Sequence, residues 1–97
     1  MHNVALLVLV EAKAGKQEEL AAFLKSALSL AVQETATVSW FAFRIDSSRF
    51  GIFDTFADES GRNAHLNGEI AKALFARAGE LLASPPQIER PEILAAK

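Results

Sequence analysis

The sequence contains no cysteine and no tyrosine. Without thiols, the chain cannot form disulfide bonds, thiolate nucleophiles, iron–sulfur ligation or thiolate zinc sites. Without tyrosine, it has no phenolic hydroxyl for acid–base work. It also lacks a glycine-rich phosphate loop, and its two histidines, His2 and His65, stand far apart in the chain. We therefore expect the purified protein to carry no flavin, haem or bound metal ion.

The chain also has no large excess of basic or acidic residues. The formal net charge is −2, and the ten basic residues are scattered along the chain rather than clustered. A nucleic-acid-binding surface needs a basic patch that neutralises phosphates. The composition therefore excludes nucleic acid as an expected partner.

Long hydrophobic runs are missing too. The longest covers residues 4–10, whereas a helix needs about 20 apolar residues to cross a bilayer. No basic segment precedes this run and no cleavage-like site follows it, so a signal peptide is not indicated. We expect a cytoplasmic protein without a membrane partner.

The sequence is rich in bulky apolar residues. Hydrophobic residues make up 51% of the 97 positions, with seven phenylalanines and one tryptophan. A chain of this length is expected to form one domain around one small core. We therefore assign residues 1–97 to a single domain.

Four apolar segments are predicted as strands because they are rich in β-branched and aromatic residues. They span residues 4–11, 38–46, 50–57 and 88–94. Pro91 in the last segment cannot donate a ladder hydrogen bond, which places that strand at a sheet edge or a bulge.

Two segments with apolar residues at helical spacing lie between these strands. The first begins at Lys16 and ends near Thr35. The second begins after Asp58, a predicted N-cap, has a break at Asn67–Gly68, and ends before Pro85. The order βαββαβ predicts an α+β, ferredoxin-like fold in which both helices cover one face of a four-stranded antiparallel sheet.

The strand "VSWFAFRID", residues 38–46, carries large aromatic side chains at both parities. Successive strand residues point to opposite faces, so the face away from the helices would also be apolar. A second copy of the chain is the simplest cover for such a face. We predict a homodimer through the sheet face, with Trp40 at the interface.

The connection between the second and third strands sets which side chains share a face. A two-residue loop at Ser47–Ser48 would pair Asp46 with Arg49, Phe43 with Ile52 and Phe41 with Asp54. Under that register, Phe41, Phe43 and Phe56 form a flat apolar wall beside Asp54. A longer loop would shift the register.

Two stretches resemble the antibiotic biosynthesis monooxygenase family, a branch of the dimeric α+β barrels. They are "GIFDTFADESGRNAHLNGEIAKAL", residues 51–74, and "VLVEAKAGKQEELAAFL", residues 8–24. The resemblance implies a homodimer with a pocket between helices and sheet in each monomer. It also implies a cofactor-free monooxygenase acting on phenols or quinols, or a haem-degrading enzyme. The haem-degrading branch is disfavoured, because strand one is aliphatic, the second helix has no tryptophan, and no histidine follows His65.

His65 and Asp54 are the candidate catalytic pair. A histidine titrates near neutral pH and can serve as a general base, with Asp54 orienting its ring. A structural histidine is the alternative for His65, and its replacement by alanine is expected to change turnover but not melting if it is a base. For Asp54 the alternatives are a cap, a salt bridge, or a bond from Arg62.

The candidate substrate-binding residues surround that pair. The three phenylalanines of the wall suit an aromatic ring, although core packing is the more frequent role for such a set. The full set of candidates is Ser39, Phe41, Phe43, Phe56, Phe23, Leu66 and Leu74.

The sequence is thus interpreted as a cofactor-independent monooxygenase for a small aromatic, phenol-like or quinol-like compound. Two alternatives stay open at this point. One is a non-catalytic or stress-related dimer that binds a small molecule. The other is a non-redox isomerase or cyclase on the same fold, because one base in an apolar pocket suffices for that chemistry as well.

Overall fold

A computed structural model describes residues 3–97, so His2 lies outside the described residues. Four strands form one antiparallel sheet in the order β2-β3-β1-β4. They are β1 (Val4–Glu11), β2 (Thr37–Arg44), β3 (Arg49–Phe56) and β4 (Gln87–Glu89). This confirms the predicted ferredoxin-like α+β sheet.

Each predicted helical segment consists of two helices. The first segment contains α1 (Gln17–Ser26) and α2 (Leu28–Gln33), and the second contains α3 (Glu59–Leu66) and α4 (Glu69–Leu81). The break at Asn67–Gly68 and the Asp58 cap are confirmed, since the Asp58 carboxylate accepts a bond from the Gly61 N–H at 3.1 Å. The break at Ala27 was not predicted. Next to it, the Ser26 hydroxyl bonds to the Phe23 carbonyl at 2.7 Å and competes with the helix backbone.

The core lies between the helices and one face of the sheet. On that face, alternate residues of β1 and β3 are buried, as expected for strands that a helical layer covers. Helices α1 and α4 supply the opposing side chains. Within residues 3–97, no helix is long and apolar enough to cross a membrane. The main core residues are Val8, Val10, Leu20, Leu24, Phe50, Ile52, Leu74 and Leu81.

The predicted register of β2 against β3 is wrong by one residue. Trp40 lies opposite Asp54, and Phe43 lies opposite Gly51. The cause is the connection, which runs from residue 45 to 48 rather than over two residues. The Asp46 carboxylate closes it by accepting bonds from the Ser48 and Arg49 N–H groups at 3.1 and 2.9 Å.

A shift of one residue moves every side chain of β2 to the other face. Trp40 therefore packs into the core under the helices, and its predicted place at a dimer interface is wrong. Phe41 and Phe43 lie on the face away from the helices, where they are 58% and 36% exposed. The Phe43 ring covers Gly51, where a Cβ would overlap it.

The last strand is shorter than predicted, because it ends before Pro91. Beyond it, a single bridge joins Glu92 to Val4. β4 lies at the sheet edge, as Pro91 requires. The Pro91 carbonyl accepts bonds from the Ala5 N–H at 3.0 Å and from the Arg62 guanidinium at 3.3 Å. Arg62 therefore bonds to the segment that follows β4, and the predicted alternative of a bond from Arg62 to Asp54 is wrong.

Candidate functional site

His65 is buried between two carboxylates. It lies on α3 with 7% of its surface exposed. Its Nδ1 is 2.5 Å from Oε1 of Glu34, and its Nε2 is 2.8 Å from Oδ2 of Asp54. The three side chains come from the end of α2, from β3 and from α3, so only the folded chain brings them together.

Asp54 supplies the inner carboxylate. It points from β3 towards the helices and is fully buried, with Leu6 and Trp40 as its cross-strand neighbours. The predicted contact between Asp54 and His65 is present. The carboxylate lies off the ring N–H direction, so the contact is an ion pair, and neither Asp54 oxygen has an aligned hydrogen bond within residues 3–97. A buried carboxylate needs a nearby cation, and His65 is the group in place to provide it.

Glu34 supplies the outer carboxylate, and sequence reasoning missed it. It follows α2 and is fixed twice by Thr37, whose N–H donates to the Glu34 carbonyl at 3.1 Å and whose hydroxyl donates to Oε1 at 2.9 Å. Its side chain is 20% exposed. The contact with His65 spans 31 positions in the chain, and a glutamate near a helix end is too common to indicate it.

The two carboxylates change the acid–base behaviour of His65. Burial acts most strongly and lowers its pKa, but Asp54 and Glu34 together outweigh burial and raise the pKa to about 8. The imidazole is therefore mostly protonated at neutral pH. The charged side chains facing it are these two carboxylates, while Arg62, one turn earlier on α3, is paired with Glu59 and does not face it.

We expect the stability of the protein to fall as pH rises from about 6 to about 9. The pKa of His65 is higher in the folded state than its usual 6.5. Its contribution is therefore fully present below the unfolded value and is lost as pH passes through about 8. At 1.36 kcal/mol per pKa unit, the loss is on the order of 2 kcal/mol. Urea unfolding at several pH values across this range measures the loss. If the free energy of unfolding of His65→Gln fell with pH as steeply as that of the wild type, the assignment would be contradicted.

His65 separates two cavities. On one side, His65 and Glu34 form part of the wall of a surface groove of about 410 Å³ between the α2–β2 connection and the α3–α4 region. On the other side, His65 borders a small apolar cavity of about 30 Å³ under α4. The groove has the size of a small-molecule site, whereas the inner cavity has room for little more than a water molecule.

The predicted substrate-binding residues divide into two groups. Phe56 packs against His65 with ring centroids 5.4 Å apart, and Leu66 and Leu74 line the small inner cavity. The other four line neither of the two cavities beside His65; they are Ser39, Phe41, Phe43 and Phe23. The predicted wall of Phe41 and Phe43 beside Asp54 is wrong because of the register.

Ser39 and Phe23 have other contacts. The Ser39 hydroxyl lies 2.5 Å from the Thr55 hydroxyl across the sheet. Phe23 packs on the core beneath the Arg77 guanidinium, which lies 5.8 Å from its ring centroid.

Within residues 3–97, no three imidazole or carboxylate groups are arranged to hold a metal ion.

Comparison with solved structures identifies relatives of this chain. A crystal structure of NE2512, a protein of unknown function from Nitrosomonas europaea, has 58% sequence identity and a TM-score of 0.98, over 100% of this chain and 94% of that one. The chain belongs to the NE2512 family. A scan against protein-family models and a search of curated proteins give no match.

More distant structures show the fold of this family. A "putative antibiotic biosynthesis monooxygenase" from Nitrosomonas europaea has a TM-score of 0.84 at 14% identity, over 95% of this chain and 99% of that one. A protein with the same description from Chloroflexus aurantiacus has a TM-score of 0.75 at 15% identity, over 98% and 96% of the two chains. The fold is that of the antibiotic biosynthesis monooxygenases, which confirms the resemblance at the level of the fold.

Proposed function

We propose that this protein is a cofactor-independent monooxygenase that oxidises a small phenol-like or quinol-like compound in the groove beside His65. The observation that carries the proposal is a single imidazole held between two carboxylates on the wall of that groove. Such a cluster can accept a proton, hold it and return it. The names of the distant structural neighbours are consistent with this class of reaction.

The groove suits a flat neutral ring. Its volume of about 410 Å³ lies within the usual range for small-molecule sites. Four small residues and several polar groups line the groove. The small residues are Ala36, Gly61, Ala64 and Gly68, and the polar groups include Gln33 and Thr35.

The proposed reaction begins with proton transfer from the substrate to the cluster. For an anthrone, the resulting anion gives one electron to O₂, and the substrate radical and superoxide combine to form a C–O bond. The cluster returns its proton to the peroxide. Loss of the remaining C–H proton and cleavage of the O–O bond then release water and leave a carbonyl. One O₂ is consumed for each quinone and water formed, so atoms and electrons balance without another oxidant.

Oxygen uptake with a panel of anthrones and quinols tests this function. We expect protein-dependent uptake, faster as pH rises through about 8 because the cluster must first lose its proton. Isomerisation of a panel compound without oxygen uptake would instead support an isomerase. Saturable binding without turnover would support a small-molecule-binding protein.

We also propose that the face of the sheet away from the helices forms a homodimer. Phe41 and Ile45 on this side are 58% and 45% exposed, and the Phe43 ring lies beside them. A single chain would leave this apolar surface in water, whereas a twofold-related copy would cover it.

Phe41→Arg is expected to convert the dimer to a monomer at micromolar concentration, because it places a charge in an apolar interface. Phe75→Arg is the matched control, since Phe75 on α4 is 52% exposed on the helical side of the molecule. Sedimentation velocity measures both. A wild-type chain that stays monomeric, or equal dissociation by the two variants, would contradict the proposal.

A further inference from the structure

Both ring nitrogens of His65 are already engaged. Nδ1 lies 2.5 Å from Oε1 of Glu34, a hydrogen-bond distance, and Nε2 lies 2.8 Å from Oδ2 of Asp54, with which the protonated ring forms an ion pair. An imidazole held in this way presents no free lone pair to a substrate. The atom that takes the substrate's proton must therefore belong to a group beside His65.

The two carboxylates differ in their access to the groove. Asp54 is fully buried and borders neither the groove nor the inner cavity. Glu34 lines the groove with 20% of its side chain exposed. The three groups thus form a chain from the buried Asp54 through His65 to Glu34 at the groove.

We propose that Glu34 is the catalytic residue that receives the proton from the substrate, with His65 as the positioning residue that stores it. The inference rests on the proposed function, because it assigns roles at the same site. It makes Glu34, rather than His65, the group that touches the bound molecule.

The proton count explains how such a carboxylate acts as a base. The two contacts of the imidazole need two protons, one on each ring nitrogen. When the cluster loses one proton, Nδ1 and Oε1 of Glu34 face each other as two acceptors, and their contact is lost. Transfer of a proton from the substrate breaks its O–H or C–H bond and protonates the Glu34 carboxylate. Rotation of the carboxyl group then presents that proton to Nδ1 and restores the contact. The gain of this buried ion pair drives the transfer.

The surroundings of Glu34 leave its second oxygen accessible. Thr37 binds Oε1, so Oε2 is the oxygen that is free to approach a ligand. A Cβ at Gly68 would lie 3.2 Å from Oε2, so glycine keeps this side open. Glu69 adds a second carboxylate to the groove and also pairs with Lys72 at 3.7 Å. The site therefore favours neutral compounds with an acidic hydrogen over carboxylates or phosphates.

Anaerobic deuterium exchange tests the assignment independently of oxygen chemistry. The probe is anthrone in D₂O, with loss of its acidic C–H signal followed by NMR. Wild-type protein should accelerate the exchange, and Glu34→Gln should lower that acceleration by about 10²–10⁴-fold, the usual contribution of a general base. Glu18→Gln is the control, since it removes the same charge at a side chain that is 84% exposed and outside the groove.

A rescue experiment separates a catalytic Glu34 from a structural one. Formate can enter the space left by Glu34→Ala and should restore exchange in a concentration-dependent way, but it should not rescue His65→Ala. The His65 ring signals in Glu34→Gln should show an intact fold with a pKa lowered from about 8.

The outcomes distinguish the two proposals. Exchange that depends on Glu34 without oxygen uptake would support this assignment and overturn the monooxygenase function. Oxygen uptake and exchange that are both unchanged in Glu34→Gln would overturn the assignment and leave the function standing. Absence of exchange with wild-type protein would overturn both.

Discussion

His65→Gln is expected to lower turnover of an oxidised panel substrate by about 10²–10⁴-fold. Glutamine has a similar reach but cannot take up a proton at neutral pH. The Asp54–His65–Glu34 cluster therefore loses the side chain that holds the proton. The loss should fall on kcat, because the other residues that line the groove are unchanged. Steady-state oxygen uptake across a range of substrate concentrations measures kcat and KM separately.

The matched variant for this experiment is Asp54→Asn. It keeps the volume of Asp54 and removes only its charge, so it should lower turnover less than His65→Gln by weakening the orientation of the ring. If His65→Gln instead raised KM and left kcat unchanged, His65 would be a binding group and not part of the proton-transfer chain.

His65→Leu is expected to lower the free energy of unfolding by about 3–5 kcal/mol, the usual cost of removing one partner of a buried ion pair. The reason is Asp54, which is fully buried and would lose the cation beside it. The sequence alone favours a smaller effect, since a base can be removed without harm to a fold. Burial of the carboxylate reverses that expectation.

The double variant His65→Leu with Asp54→Leu should recover most of this loss. Replacing both members of a buried ion pair by apolar residues is often neutral or stabilising, because no unpaired charge remains. Urea unfolding of both single variants and the double variant completes the cycle. Additive losses in the double variant would show that the two side chains do not interact in the folded protein.

The order of the elements could be predicted from the sequence because it depends on local patterns. Alternation and β-branched residues mark the strands, helical spacing marks the helices, and Asp58 and Gly68 mark helix ends within a few residues. The contact of Asp54 with His65 could also be predicted from the sequence, because the end of β3 leads directly into α3. Local signals sufficed for both.

The faces of β2 could not be predicted, because they depend on the length of one connection. The carboxylate of Asp46 bonds to the N–H groups of Ser48 and Arg49 and lengthens the turn beyond Ser47–Ser48. This single side chain decides that Trp40, and not Phe41, faces the helices. β2 has large aromatic side chains on both of its faces, so its hydrophobic pattern does not contradict the wrong register.

Glu34 could not be predicted either, for a different reason. Its role depends on the turn that ends α2 and on the distance from that turn to α3, and neither is encoded in a short motif. The nearest sequence signal is Thr37, three residues later, whose hydroxyl donates to the Glu34 carboxylate and whose N–H donates to the Glu34 main-chain carbonyl. A glutamate followed by a threonine at that spacing is ordinary on any protein surface.

The stoichiometry of oxygen use tests the central claim most directly. Metal-free wild-type protein, supplied with an anthrone that it turns over, should consume one O₂ for each quinone formed, with no hydrogen peroxide released. The rate should rise with pH through about 8 and should be lost in His65→Gln. Release of one hydrogen peroxide for each product, or an equal rate in His65→Gln, would contradict the account.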